Sequence, residues 1–144
     1  MAGASRASDY GKIPIAEHME RSNQEITLAV MVEDLPALEE IDAIAATDGV
    51  DIVAVGPSDM SRALGVGGTS NHPKLVGVIE RVAAAVKKAG IARLALPMNH
   101  PTLPRDAAQL RELGVGYTNC APAPEVRILR SMQAQVAEAR ARLA

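Results

Sequence analysis

Two carboxylates follow consecutive apolar segments, at the positions where parallel α/β folds place their chemistry. Glu33 directly follows the apolar run 26–32, and Asp59 follows the run 52–55 after one short turn. If these runs are neighbouring strands, about 4.8 Å apart, both side chains point into the same mouth. Two carboxylates with water are a usual way to hold Mg²⁺ or Mn²⁺ with coordination positions left open. The spacing therefore predicts a divalent-cation site at Glu33 and Asp59.

A structural interpretation of the same two residues stays open, and on pattern alone it is the commoner one. Glu33 could cap the following helix, in which Pro36 suits the first turn. Asp59 could cap a short helix that begins at Met60. Sequence spacing alone does not separate helix capping from metal binding.

The turn Gly56-Pro57-Ser58-Asp59 brings backbone N–H groups to the start of a helix. Unpaired donors and a positive partial charge make such a turn a seat for a substrate carboxylate, although an ordinary strand-to-helix turn has the same sequence features. His100 lies in the loop after the third strand and is the one candidate for a catalytic base. Cys120 follows the fourth strand without an identified base partner, which favours a buried thiol.

Four strand–helix units must position these residues. Apolar strands are predicted at 26–32, 52–55, 92–96 and 115–119, and helices after Pro36 and at 60–64, 73–89, 105–113 and 125–143. Alternation of apolar strands with amphipathic helices predicts an α/β fold with a parallel sheet and right-handed crossovers. Four units can form an open doubly wound sheet or half of an eight-stranded barrel. We expect one partial domain over 1–144, with a lead-in at 1–25, the units at 26–122 and a terminal helix at 123–144.

Composition restricts the classes of partner. The chain of 144 residues is 48% hydrophobic and 22% charged with a net charge of −2, so nucleic acid and anionic membranes are not expected partners. No apolar run reaches 18 residues and no signal pattern opens the chain, which predicts a cytoplasmic protein. Phe and Trp are absent and Tyr10 and Tyr117 are the only aromatic residues. Such a core needs close packing or burial against a partner chain.

Several of these segments together resemble the HpcH/HpaI aldolase family. The resemblance rests on Val-Met-Val-Glu at 30–33 before a helix, Gly-Pro-Ser-Asp-Met-Ser at 56–61, Leu-Gly at 64–65 and Asn-His-Pro at 71–73. It extends to the segment 6–11, is strong as far as Gly90 and is looser beyond. It implies the C-terminal half of a TIM (β/α)₈ barrel, in a family that commonly forms hexamers and exchanges its last helix between subunits.

The resemblance also implies a reaction. Members of this family cleave 4-hydroxy-2-oxo acids to pyruvate, or a related 2-oxo acid, plus an aldehyde. Glu33 and Asp59 match the metal ligands, and Ser58 and Asp59 match the positions whose backbone N–H groups receive the pyruvate carboxylate. A divalent cation, Mg²⁺ or Mn²⁺ with Co²⁺ as a further candidate, is chelated by the 2-oxo acid, acts as Lewis acid and stabilises the enolate.

Two departures from the family pattern keep alternatives open. The family's N-terminal half, which supplies a catalytic Arg and a His–acid pair, lies outside these 144 residues. The stretch 117–124 also replaces the small-residue, Asp-containing turn that the family usually has. The chain is therefore expected to form homo-oligomers or to pair with a complementary half-barrel. The alternatives are a truncated non-catalytic chain and a citrate-lyase-type enzyme acting on acyl-CoA thioesters.

Overall fold

The computed structural model describes residues 5–119 and 122–143 and contains one sheet of four parallel strands. The strands are β1 (Ala29–Val32), β2 (Ile52–Val55), β3 (Arg93–Ala95) and β4 (Val115–Tyr117). They lie side by side in the order β1-β2-β3-β4. A doubly wound sheet reverses its strand order at a switch point, whereas a barrel adds each strand beside the last. The predicted fold class, four parallel β–α units forming half of a barrel, is confirmed.

Seven α-helices are found in the described ranges, after a 3₁₀ segment at Arg6–Gly11. They are α1 (Ile15–Glu25), α2 (Leu35–Glu39), α3 (Ile41–Ala45), α4 (Pro57–Ala63), α5 (Pro73–Ala89), α6 (Ala107–Glu112) and α7 (Pro124–Leu143). The prediction of a single helix after Pro36 is wrong. Glu40 departs from helical geometry, with φ −90° and ψ 11°, and separates α2 from α3. The short helix predicted at 60–64 begins earlier, at Pro57.

One face of the sheet packs against the helices and forms the core. Val32, Val53 and Leu94 point to this face and are almost fully buried. Opposite them lie Ile41 of α3, Leu75, Ile79 and Val82 of α5, and Leu110 of α6. Layers of β-branched and aliphatic side chains thus build a core without any aromatic residue, as the composition predicted.

The other face of the sheet is uncovered, and here a prediction is wrong. The run 26–32 was expected to be buried on both faces, but Met31 is 59% exposed and Tyr117 on β4 is 57% exposed. The physical reason is that four strands cannot close around their own inner face. Ladder pairing of β1 also begins only at Ala29, so Ile26 and Leu28 lie outside the strand and are exposed.

Other boundaries differ from the prediction by a few residues. β3 and β4 are shorter than 92–96 and 115–119, and α6 is shorter than 105–113. Cys120, predicted to be a buried thiol, lies outside the described residues, as do residues 1–4, 121 and 144. No helix in the described ranges is long and apolar enough to cross a membrane.

Candidate active site

A cavity of about 440 Å³ opens on the uncovered face at the carboxyl ends of the strands. Its floor consists of inward-pointing side chains from all four strands, among them Met31, Ala54, Ala95 and Tyr117. Its rim includes the turn from Gly56 to Asp59, Pro97, His100, Thr118 and Asn119. The volume is that of a small-molecule site. The floor is apolar, and the polar groups lie at the rim.

Glu33 follows β1 and lies beside Gly56, a residue that lines the cavity. Successive strand residues alternate between faces, so Glu33 shares the inner face with Met31. Its Oε2 atom lies 3.4 Å from the position that a Cβ atom on Gly56 would occupy. The Gly56 N–H donates to the Val32 carbonyl at 3.3 Å, which holds the two strand ends together. The Glu33 carboxylate therefore lies against Gly56, the residue that precedes α4 and its Asp59.

The helix-capping interpretation of the two carboxylates is wrong. Asp34 caps α2, where its Oδ1 accepts from the Ala37 N–H at 2.8 Å. The N-cap residue of α4 is Gly56, which has no side chain to make a cap. Neither Glu33 nor Asp59 thus fills the role that pattern alone favoured.

Asp59 belongs to the first turn of α4 and lines the cavity. Its side chain is 46% exposed and forms an ion pair with Arg62, one turn further along the helix. Pro57 has no N–H and the Met60 N–H donates to the Gly56 carbonyl at 2.9 Å. The N–H groups of Ser58 and Asp59 precede the first hydrogen bond within α4. They therefore point out of the start of the helix and are available to a ligand.

His100 also lines the cavity and lies beside this turn. Its Nε2 atom is 3.4 Å from Ser58 Oγ, and its Nδ1 atom accepts from the Thr102 N–H at 3.2 Å. Burial lowers the pKa of His100 below the ordinary value of 6.5, so the imidazole is neutral at pH 7. The fold thus brings three sequence candidates to one cavity: Ser58 and Asp59 from the first turn of α4, and His100 from the loop after β3.

The donor set fits a hard divalent cation. Glu33 and Asp59 offer carboxylate oxygens beside adjacent strand ends, and oxygen ligands suit Mg²⁺, Mn²⁺ and, less selectively, Co²⁺. Across residues 5–119 and 122–143, no group of three or more His, Cys, Asp and Glu side chains could hold a metal. A site of two carboxylates would leave the remaining coordination positions to water or to a chelating ligand.

Sequence reasoning missed three residues at this site. Arg62 could have been noticed from its i,i+3 spacing to Asp59 on one helix. Thr118 donates through Oγ1 to the Leu96 carbonyl at 2.7 Å, and the Asn119 carbonyl accepts from the Met98 N–H at 2.8 Å. These last two bonds join the loops after β3 and β4 at the rim. They depend on strand register, which no local pattern reveals.

The sequence is similar to that of a known protein family and of two named relatives. A family model described as HpcH/HpaI aldolase/citrate lyase matches residues 6–123. The chain is 43% identical over 91 residues to a hydroxypyruvate/pyruvate aldolase of Sagittula stellata, covering 63% of this chain and 35% of that protein. It is 35% identical over 137 residues to a 5-keto-4-deoxy-D-glucarate aldolase of Enterobacter sp., covering 92% of this chain and 49% of that protein.

A solved structure extends the similarity to the fold. An HpcH/HpaI aldolase/citrate lyase family protein from Burkholderia cenocepacia superimposes with a TM-score of 0.78 at 31% identity. The superposition covers 97% of this chain and 52% of that chain. Most of this chain is matched by the Enterobacter and Burkholderia cenocepacia proteins, but it spans only about half the length of each of them.

Proposed function

The chain belongs to the HpcH/HpaI aldolase/citrate lyase family, as its resemblance predicted, and from this we propose that it carries the metal-binding half of an aldolase active site. The proposed reaction cleaves 4-hydroxy-2-oxo acids to pyruvate, or a related 2-oxo acid, plus an aldehyde. The cation is Mg²⁺ or Mn²⁺, with Co²⁺ as a substitute. The observation that supports the proposal is the contact of the Glu33 carboxylate with Gly56, which lines the cavity together with Asp59.

Glu33 and Asp59 would hold the cation, which when bound supplies a Lewis acid for the 2-oxo group. Arg62 must then release the Asp59 carboxylate. This is energetically easy because an ion pair with both side chains exposed contributes only about 0–1 kcal/mol. Gly56 leaves the surface beside the Glu33 carboxylate free of a side chain.

The remaining residues bind and orient the substrate. The backbone N–H groups of Ser58 and Asp59 are suited to receive the substrate carboxylate at the rim. The apolar floor formed by Met31, Ala54 and Ala95 would hold the carbon chain and exclude water from one side of the breaking C–C bond. A shielded environment strengthens each of the polar contacts at the rim.

The alternative of a citrate-lyase-type enzyme is tested by asking whether the reaction requires a CoA thioester. The two curated relatives described above are named as aldolases of small keto acids, and this supports aldol cleavage over thioester chemistry for the present chain. A requirement for CoA thioesters would favour the citrate-lyase-type reaction. If the chain binds no pyruvate in the presence of Mn²⁺, the non-catalytic alternative is preferred.

Pyruvate release from 4-hydroxy-2-oxo acids, coupled to lactate dehydrogenase, tests the reaction. Glu33→Gln and Asp59→Asn should each lower the metal-dependent rate at least about a hundredfold, since changes even in outer-shell partners of a metal lose ten- to a hundredfold. Glu39→Gln, an exposed carboxylate on α2, is the matched control and should leave the rate unchanged. Equal rates in Glu33→Gln and the control would reject the proposed site.

The rate of the 144-residue chain itself is a separate question. No described residue is placed by the structure as the base for the 4-hydroxyl proton, and loss of general-base help typically lowers a rate about 10²–10⁴-fold. The chain is therefore expected to bind pyruvate with Mn²⁺ better than it cleaves substrate. A longer protein that supplies the base should turn over normally.

A further inference from the structure

His100 is held in one orientation by its own loop. Asn99 adopts a left-handed backbone conformation with φ 55°, and its N–H donates to the Arg105 carbonyl at 2.8 Å. The Leu103 N–H donates to the His100 carbonyl at 3.1 Å, and the Leu103 side chain is only 1% exposed. The Thr102 carbonyl accepts from the Asn71 N–H at 2.8 Å. The imidazole thus projects from a loop that is tied down on both sides.

The hydrogen bonds of the ring decide which nitrogen carries the proton. The Thr102 N–H points at Nδ1 from 3.2 Å, so Nδ1 must present its lone pair. A neutral imidazole with an unprotonated Nδ1 carries its hydrogen on Nε2. Nε2 is the atom that faces Ser58 Oγ at 3.4 Å, and it therefore donates to the hydroxyl. Burial, which lowers the pKa of His100, favours the same neutral form.

This donor changes what the Ser58 hydroxyl can do. A hydroxyl that accepts one hydrogen bond keeps its own proton for a second partner. Ser58 lines the cavity, and its hydroxyl proton is thereby available to a group bound there. The distance of 3.4 Å is long for a hydrogen bond, and apo-state contacts of this kind commonly tighten when substrate binds.

We propose that His100 is a positioning residue that donates from Nε2 to Ser58 Oγ and so directs the Ser58 hydroxyl proton to an oxygen of the bound 2-oxo acid. This rests on the proposed function for the identity of the ligand. It replaces the sequence-based expectation that His100 is the base, because the nitrogen that faces the cavity already carries a proton. The base must then be a different group.

The tautomer can be measured without ligand or metal. Ring ¹⁵N–¹H correlation spectra of the ¹⁵N-labelled protein at neutral pH should show His100 with hydrogen on Nε2 and a bare Nδ1. Hydrogen on Nδ1, or a doubly protonated ring at neutral pH, would overturn the proposal. His18→Gln and His72→Gln spectra assign the remaining two histidines by elimination.

Two amide substitutions separate donation to Ser58 from support of the loop. In His100→Gln the amide nitrogen replaces Nε2 and keeps the donor. In His100→Asn the side-chain oxygen can still accept from the N–H two residues on, as Nδ1 does, but no donor reaches Ser58. Pyruvate affinity in the presence of Mn²⁺, measured by calorimetry, should stay near the wild-type value in His100→Gln. It should weaken by roughly threefold to tenfold in His100→Asn, as expected for one hydrogen bond.

A double-mutant cycle tests whether His100 acts through Ser58. In a Ser58→Ala background, His100→Asn should weaken pyruvate binding no further, because the acceptor is already absent. His18→Gln is the matched control, since His18 also faces a serine, at 3.5 Å from Ser22 Oγ, but does not line the cavity. Additive losses, or equal losses in His100→Gln and His100→Asn, would overturn the proposal. No pyruvate binding by the wild-type protein would instead reject the proposed function, while the spectra would still report the tautomer.

Discussion

The Glu33 carboxylate lies against the backbone of Gly56, with Oε2 3.4 Å from the position of a Cβ atom that glycine lacks. The Met31 Sδ atom lies at the same distance from that position. Gly56 has φ −88°, which every residue type tolerates, so its backbone conformation does not require glycine. A Cβ atom at position 56 would instead meet the Glu33 carboxylate and the Met31 sulfur at van der Waals distance and limit the freedom of that carboxylate.

Gly56→Ala should therefore impair the site more than the fold. The added methyl group would contact the Glu33 carboxylate and restrict its orientation. Mn²⁺ affinity should therefore fall roughly threefold to tenfold, a loss of the size expected for one hydrogen bond. Gly77→Ala on α5 is the matched control, because nothing lies within 4 Å of its Cβ position. That change should leave Mn²⁺ binding intact and stabilise the helix by about 0.5–1 kcal/mol. Equal Mn²⁺ affinities in both variants would contradict the assigned role of Gly56.

Asp34 caps α2 and the adjacent Glu33 is a proposed metal ligand, so alanine substitution should separate the two roles. Asp34→Ala removes the cap of α2 and should lower the free energy of unfolding by about 0.5–2 kcal/mol, measured by urea denaturation. Glu33→Ala should leave the unfolding free energy nearly unchanged and abolish Mn²⁺ binding. If Glu33→Ala is the more destabilising variant in the absence of metal, Glu33 has a structural role that its observed contacts do not explain.

Stability should decrease on acidification through His100. Burial lowers the pKa of His100 below 6.5, so the unfolded chain takes up this proton at a higher pH than the folded chain. The free energy of unfolding should fall as pH drops from about 6.5 to the lower folded-state pKa and level off below it. Denaturation across this pH range should show the slope in the wild type and in His18→Gln. His100→Gln should lack that part of the slope, and its persistence there would assign it to another group.

The uncovered sheet face predicts self-association or pairing with a complementary half. Met31 and Tyr117 are each more than half exposed on a face that a closed barrel would bury. Light scattering from low to high micromolar concentration should show oligomers, and Met31→Lys should shift them towards monomer. A wild-type protein that stays monomeric over the whole range would contradict this expectation.

Local sequence signals were sufficient where a structure depends on local contacts. The helix expected from Asn71-His72-Pro73 to Gly90 is α5, where His72 Nδ1 accepts from the Lys74 N–H at 3.2 Å. Gly90 ends it in a left-handed conformation with φ 68°. The two strands preceding Glu33 and Asp59 are also neighbours, as the site prediction required. Capping residues, proline and glycine act within one or two turns, so sequence alone identifies them.

Features that depend on distant residues could not be predicted. The exposure of Met31 depends on what covers the inner face, and this is a property of the assembly. The contact between His100 and Ser58 joins residues 42 positions apart through the packing of the loop after β3 against the start of α4. Neither of these has a signature in a short stretch of sequence.

Binding of Mn²⁺, followed by electron paramagnetic resonance of the free ion, tests the central assignment most directly. The wild-type protein should bind one Mn²⁺ per chain, and pyruvate should tighten that binding because a 2-oxo acid can chelate the ion. Glu33→Gln and Asp59→Asn should each weaken binding at least about a hundredfold, whereas Glu39→Gln and Asp48→Asn, exposed carboxylates elsewhere, should not. Wild-type affinity in Glu33→Gln or Asp59→Asn, or no Mn²⁺ binding by the wild type with pyruvate present, would contradict the account.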